Sequence, residues 1–378
     1  MGESSGDRLR LAAAEAGLKS MARWIRWLPV ALVSTLATCA AFPAAAAAHG
    51  PIAPVATSYL ARISHAPGGL DAIVVDGDLR MWLRAPANET VIVLDYRGAP
   101  YLRFSAAGVA VNHNSAMYYL NQTPFPETPP TSLGPHTPPH WELATSGHSY
   151  EWHDGRLHAL AAVALSPATS GISFVGHWRI PVLVNGHLTA ITGGLWHSDN
   201  PSIVWFWPIA VLLLCVLAAW RIKRPELDRW TARALGTGAL AAIAVAAVGR
   251  ELHGRPMVTV LQLIEMAILL AFVVVAFARI VRGRAGYFSY FVIAILALWE
   301  GAELLPTLLS GFVLIATPAF LTRAATVVAL GAGVGLVLLV FRLADWRNRL
   351  HTRGPQVRED RSQHQAPERE EGDAWELA

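Results

Sequence analysis

Cysteine is almost missing from this chain. Only Cys39 and Cys215 occur in 378 residues, both inside apolar runs, so no disulfide can close within the segment between them and whatever folds there must be held by its core. Charge is scarce too. Charged residues make up 15% of the chain against 53% hydrophobic ones, which is too apolar for an ordinary soluble protein of this length. The net charge of +3 is small, and Lys and Arg stand beside apolar runs rather than forming a stripe, which leaves nucleic-acid binding without support. Neither HExxH nor CxxC occurs, so those two motif-defined metal or redox sites are missing as well.

What the chain does have begins with a targeting signal. In MARWIRWLPVALVSTLATCAAFPAAAAAHG, Arg23 and Arg26 form a basic flank, Leu28 to Ala41 an apolar stretch, and Ala46 to Ala48 a small-residue cleavage site. Residues 1–48 therefore read as a signal peptide, with Met21 as an alternative start. Cleavage after Ala48 would expose His49 with a free α-amino group. An uncleaved anchor is the competing reading, and the shortness of the run argues against it.

From 49 to 200 the pattern alternates. TVIVLDY, PYLRFSAAGVAVN, GISFVGHWRIPVLV and GHLTAITGGLW are rich in β-branched and aromatic residues and bounded by Gly, Pro and Asn, which predicts an antiparallel β-sandwich. The seven prolines of PFPETPPTSLGPHTPPH forbid ladder pairing and predict an exposed loop.

Beyond Asn200 the grammar changes to long apolar runs, Ile203–Trp220, Ala232–Val248, Met257–Ile280, Tyr287–Leu305 and Leu321–Leu343. These read as five spanning helices over 201–345, so the fold class is an exported β domain followed by a five-helix membrane bundle. Arginines and Lys223 gather after the first, third and fifth runs, which puts those ends in the cytoplasm and the β domain outside. The charged stretch 346–378 reads as a disordered cytoplasmic tail.

Two polar sets could carry chemistry. Eleven of the fourteen histidines fall between His49 and His197, and with no thiol at hand a metal site there would be of N/O character, suited to copper as Cu(II), Zn(II) or Ni(II). SYEWHDGRLH (149–158) is the densest stretch. Asp154 and Arg156 there can satisfy each other within a turn, while His153 and His158 stay available as ligands. The second set lies in the apolar half. Glu265 is placed ~12 Å below the outer end of the third span, and Glu300 and Glu303 are one turn apart in the fourth. The loop containing His253 lies close by. Buried carboxylates need a partner, so this set is either a cation or proton site or a Glu–Arg network between helices.

The run HWRIPVLVNGHLTAITGGLWHS (177–198) resembles the closing hairpin of CopC-type copper-binding domains, exported sandwiches that some members join to a CopD-type membrane domain. The resemblance implies Cu(II) held by His49, Asn185 and His187. Asn185 stands where the family has Asp, which removes a negative charge from the site. LDYRGAPYLRFSAAGVAVN, NSAMYYLNQ and PPHWELATSGHSYEWHDGRLH are similar to the signature of a group of actinobacterial membrane proteins with a signal peptide, a β domain and C-terminal spans. Gly155 stands where that group has His, which leaves the motif one imidazole short.

Three functional classes follow: a metal-handling membrane protein that passes copper toward outer-leaflet carboxylates, an envelope scaffold that binds a protein partner through its β domain, and a membrane enzyme. The enzyme ranks last, because no nucleophile, metal or cofactor motif is complete. The lipid bilayer is the expected partner in every case.

Overall fold

A computed structural model describes residues 54–122, 126–159, 171–201, 203–254 and 257–363, with the backbone alone for 344–363. The expected signal peptide and His49 lie outside the described residues. Twelve strands occur among them. In chain order they are β1 (Ala56–Thr57), β2 (Tyr59–His65), β3 (Asp71–Val75), β4 (Arg80–Arg84), β5 (Val91–Leu94), β6 (Pro100–Ser105) and β7 (Gly108–Asn112), then β8 (Trp141–Thr145), β9 (Ser149–His153), β10 (Ile172–Val184), β11 (His187–Ser198) and β12 (Phe312–Val313). A short helix α1 (Ala116–Leu120) follows β7, capped by the Ser115 hydroxyl.

The alternation of apolar and polar residues becomes two antiparallel sheets, one ordered β2-β11-β10-β5-β6-β7-β8 and one ordered β3-β4-β9. Their inward side chains meet in one core, with Met81 and Leu83 from β4, Trp152 from β9, Leu102 and Phe104 from β6, and Ile180 and Ile191 from β10 and β11. Each fully buried side chain of this size contributes ~1.5–3 kcal/mol, so this apolar core can hold the domain without a disulfide. The predicted β10–β11 pair closes on Asn185 (φ 52°) and Gly186 (φ 82°) between the paired Val184 and His187, the two-residue Asn-Gly turn whose twist suits a hairpin.

The chain then forms α2 (Trp207–Ile222), α3 (Pro225–Glu251), α4 (Val260–Val281), α5 (Tyr287–Glu303), the one-turn α6 (Pro306–Leu309) and α7 (Ala319–Gln363). Among the described residues, four helical segments are long and apolar enough to cross a membrane: Ile203–Ile222, Pro225–Glu251, Val260–Val281 and Ala319–Leu343. The expected fourth span yields α5, which is only 17 residues long. Pro306 cannot continue a helix, and the chain restarts there as α6. Helix α7 runs on to Gln363, through charged residues expected to be a disordered tail.

α3 is the central helix. Its small residues, among them Ala232, Gly236, Ala239, Ala246 and Gly249, are buried and let α5 and α7 pack closely against it. At one end Asp228 accepts from Arg342 Nε of α7 at 2.8 Å, and Arg342 also donates to the Ala219 carbonyl at the end of α2. At the other end, ~33 Å away at 1.5 Å per residue, Arg250 lies 3.4 Å from Glu300 of α5. This second end meets the sheet domain. β1 pairs with β12, the Leu314 amide donates to the Val55 carbonyl, and Ala316 donates to Gly249. Gly311 approaches the end of β11 so closely that a Cβ would lie 2.4 Å from Ser198 Cβ.

Candidate functional site

The turn after β9 resolves the densest motif. Asp154 is fully buried. Its Oδ2 accepts from Trp152 Nε1 (2.9 Å) and Arg156 Nη2 (2.7 Å), and its Oδ1 accepts from the Arg156 amide and Nε. Arg156 in turn donates to the Leu94 carbonyl at 2.9 Å and sits over the Tyr96 ring. A carboxylate with all its bonds filled by one guanidinium and one indole has no capacity left for a ligand. Gly155 has its own reason to be there: its amide donates to Tyr96 Oη at 2.7 Å, and a Cβ would lie 2.8 Å from that same oxygen.

His153 and His158 flank this lock with ring centroids 5.2 Å apart. His158 Nδ1 lies 3.2 Å from the Asp78 carbonyl oxygen. A carbonyl only accepts, so Nδ1 carries the proton in this contact; a neutral ring so held would present its lone pair on Nε2, the tautomer a metal-binding imidazole needs. Burial lowers the pKa of His153, and the neighbouring His158 lowers it further. Burial pushes the Asp78 carboxyl up to about 6, against the attraction of His158. The result is a pair of imidazoles with a buried acid close to one of them.

The other expected ligands lie elsewhere. Asn185 and His187 occupy the exposed hairpin turn, and Asn185 Oδ1 is already accepting from the Thr90 amide at 2.9 Å. β2 enters the sheet with Tyr59 paired to His197, ten residues or ~33 Å along β11 from His187. Val55 is tied to Leu314 of the bundle. The beginning of the described chain and His187 are therefore at opposite ends of β11. Among the described residues no three His, Cys, Asp or Glu side chains are grouped so as to hold a metal ion. Several other histidines are engaged in packing: His113 stacks on Tyr118 and pairs with Glu142, His177 meets Phe174, and His197 meets Tyr59.

The expected membrane set divides. Glu300 is buried beside Arg250, which also lies 3.6 Å from Glu251. Glu303 is one turn further on, partly buried, and the His253 carbonyl accepts from Gln262 at 3.5 Å. Glu265 is on the exposed surface of α4 and is not among the residues paired with Arg250. The Arg250–Glu300 pair is the Glu–Arg alternative weighed from the sequence, whereas Glu251 as a second carboxylate on Arg250 and the Asp228–Arg342 pair were missed. Also missed was Asp95, whose carboxylate accepts from the Arg97, Ala99 and Ala116 amides and the Ser115 hydroxyl. An Asp three residues before the Gly of a turn is a usable signal for the last of these.

The fold and these sites define an antiparallel β domain joined to a helical bundle with, among the described residues, four helices long and apolar enough to cross a membrane. Comparison with protein-family models, with curated proteins and with solved structures returns no match.

Proposed function

We propose that the chain is a non-catalytic, multi-pass protein of the cell membrane whose extracytoplasmic β domain, of Ig- or CopC-like sandwich type, serves as an envelope scaffold for a protein partner. The observation that carries this reading is the seam of β1 with β12, with Gly311 packed on Ser198: a partner held by the β domain would be tied directly to the outer end of the bundle. Five spans are favoured over four, because α5 runs the same course as its neighbours, from Tyr290 beside Gly236 to Glu300 beside Arg250. The Pro-rich segment 126–140 supplies an exposed contact held in shape, since the Leu133 and Pro138 carbonyls accept from Arg97 and Asn114. A photo-crosslinking residue at Glu127 or His136 is expected to give one discrete adduct in cells, and the same residue at buried Leu102 none. Failure to form an adduct from the loop overturns the scaffold. A reporter active only outside is expected to work after Asn200 and fail after Leu343, and the reverse pattern would overturn the orientation.

A second reading, copper handling, is favoured by one observation, the His153–His158 pair with Nδ1 of His158 on the Asp78 carbonyl. Cu(II) held there would pass toward Glu300 and Glu303. In a Cu(II) titration of the full chain, H153A/H158A is expected to lose a binding step. An unchanged isotherm removes this reading.

A further inference from the structure

β11 runs toward the bundle with an apolar patch beside the junction. Gly194, Trp196 and Ser198 share the sheet face turned away from the core, because Leu195 between them is fully buried. The register sets Phe174 and Ile172 of β10 beside Trp196 and Ser198, and Leu60 and Arg62 of β2 beside Trp196 and Gly194. The bundle meets this same face, since Ser198 is the residue against which Gly311 packs. Ile203, five residues after Ser198, opens the first span. Leu309 and Phe320, two and nine residues from Gly311, are 51% and 67% exposed, so the loop that touches Ser198 is flanked by side chains of the kind lipid covers. Ile172 and Phe174 are themselves 69% and 50% exposed. Phe174 and Trp196 meet edge to face at 5.5 Å, and both rings lie over Gly194, where a Cβ would come within 2.8 Å of each. Arg62, also exposed, stands 5.7 Å over the Trp196 ring, and Arg179 lies further along the same face. The acid at the strand end, Asp199, accepts from the Gly171 amide and lies 4.0 Å from His197.

We propose that this patch is an interfacial anchor: Ile172, Phe174 and Trp196 rest in the headgroup layer of the outer leaflet, and Arg62 binds lipid phosphate. The inference rests on the membrane reading above. Single exposed apolar residues need no explanation, but a contiguous group of them with Trp and Arg, beside the start of a span, has the composition of a bilayer interface. The order along the sheet also fits. At ~3.4 Å per residue Trp196 is ~7 Å from Ser198, and Arg62, level with Gly194, is ~14 Å from it. The rings therefore come first, where indole is favoured, and the longer Arg62 side chain can reach back to phosphate. Lipid is the occupant this position selects, because the sheet face continues into the end of the bundle that lipid surrounds. The β domain is then held at two places, the β1–β12 seam and this patch, which fixes its tilt on the membrane.

The test uses the full chain with Cys39→Ser and Cys215→Ser, reconstituted in phosphatidylcholine liposomes containing phosphatidylglycerol, with a nitroxide attached at Ile172→Cys, Phe174→Cys or Leu188→Cys in turn. Leu188 is the control: it is 66% exposed on the same strand, ten residues or ~34 Å from Ser198. Power saturation is expected to give the labels at 172 and 174 a ratio of oxygen to nickel-chelate access at least three-fold above that at 188. Arg62→Glu is expected to lower the ratio at 174 at least two-fold. Equal ratios at all three sites in an integral chain overturn the anchor, and a ratio at 174 that ignores Arg62→Glu overturns the phosphate contact. Labels that stay in water on the vesicles but are immobilised by added cell-wall glycan fragments would give the patch to a glycan and overturn the lipid assignment. Chain released from membranes by alkaline carbonate would instead overturn the membrane reading, and the anchor with it.

Discussion

Replacing Gly155 by Ala tests whether the turn after β9 is a packed lock or an open ligand site. The new Cβ would sit 2.8 Å from Tyr96 Oη, with Tyr96 Cζ next at 3.5 Å. Only the hydroxyl is therefore in the way. Tyr96 is 42% exposed, so its ring can withdraw, but it then gives up the 2.7 Å bond from the Gly155 amide, a net ~1 kcal/mol. It also loosens its stack on the Arg156 guanidinium, ~0.5–1 kcal/mol at an exposed site. Gly155→Ala should thus cost ~1–2 kcal/mol. Tyr96→Phe alone loses the same hydrogen bond, ~1 kcal/mol, and leaves Cζ at an ordinary contact distance. In that background Gly155→Ala should cost almost nothing, so the double mutant lands close to Tyr96→Phe, with a coupling of ~1 kcal/mol. Pulse proteolysis of the full chain in detergent, across a urea series, measures all four stabilities. Equal costs of Gly155→Ala with and without the hydroxyl would refute the reasoning. Gly155→His, which adds a third imidazole to the motif, meets the same oxygen and should cost at least as much as Ala.

Three further outcomes are expected. Asp78 has a folded pKa near 6 against 3.8 for the free group, so its favourable contribution is complete below about pH 4 and is lost as pH rises through 6. Asp78→Asn should therefore gain on wild type across that window, by on the order of 1 kcal/mol after solvent screening, and a stability difference that does not vary between pH 4 and 8 would contradict it. Asp228→Ala strands the Arg342 guanidinium in the bundle and should cost ~3–5 kcal/mol, whereas Asp228→Leu with Arg342→Met should recover most of this loss in thermal unfolding. A double mutant as unstable as the single would show that the pair is not the cause. Gly311→Ala drives a Cβ into Ser198 and should cost ~1–3 kcal/mol, opening the seam and speeding hydrogen exchange at the Leu314 amide. Unchanged protection there would mean that the seam is not closely packed.

The parts of the fold that could be read from sequence are those set by local periodicity. β5 to β7, β10 and β11 follow the runs of β-branched and aromatic residues, the Asn185-Gly186 turn follows from its dipeptide, and four of the five apolar runs form helices long enough to span. The three-stranded sheet was harder to see. Its middle strand, RMWLR, buries Met81, Trp82 and Leu83 in succession, so it shows no alternation. The end of α5 was misjudged by two residues because Leu304 and Leu305 extend the apolar count while the Pro306 behind them stops the helix. At the sites, residue types were legible but pairings were not. Nothing local says that Arg250 reaches across 50 residues to Glu300, or that Trp152 and Arg156 between them fill Asp154. The same limit applies to Glu265. Its depth in a span is readable, but only packing shows that α4 leaves it uncovered.

The residues of LDYRGAP and SYEWHDGR, with Asn112, can be sorted by what they touch. In LDYRGAP, Asp95 organises its own turn and caps the approach to α1. Tyr96 closes over Gly155. Asn112 is fully buried, donating to the Pro100 carbonyl and accepting from the Asn114 and His140 amides. In SYEWHDGR, Asp154, Trp152 and Arg156 satisfy one another, and Arg156 reaches back to Leu94. Each of these polar groups is consumed by backbone or by another member of the set, and together they join β5, β7, α1 and β9 around one corner of the core. Such a signature specifies a fold. Any chemistry must then come from polar groups that the network leaves over, and the two imidazoles beside it are candidates among the described residues. The distinction can be tested: substitutions within the network should lower stability and lower Cu(II) binding only in proportion, while H153A or H158A should leave the unfolding midpoint nearly unchanged and remove any metal step outright.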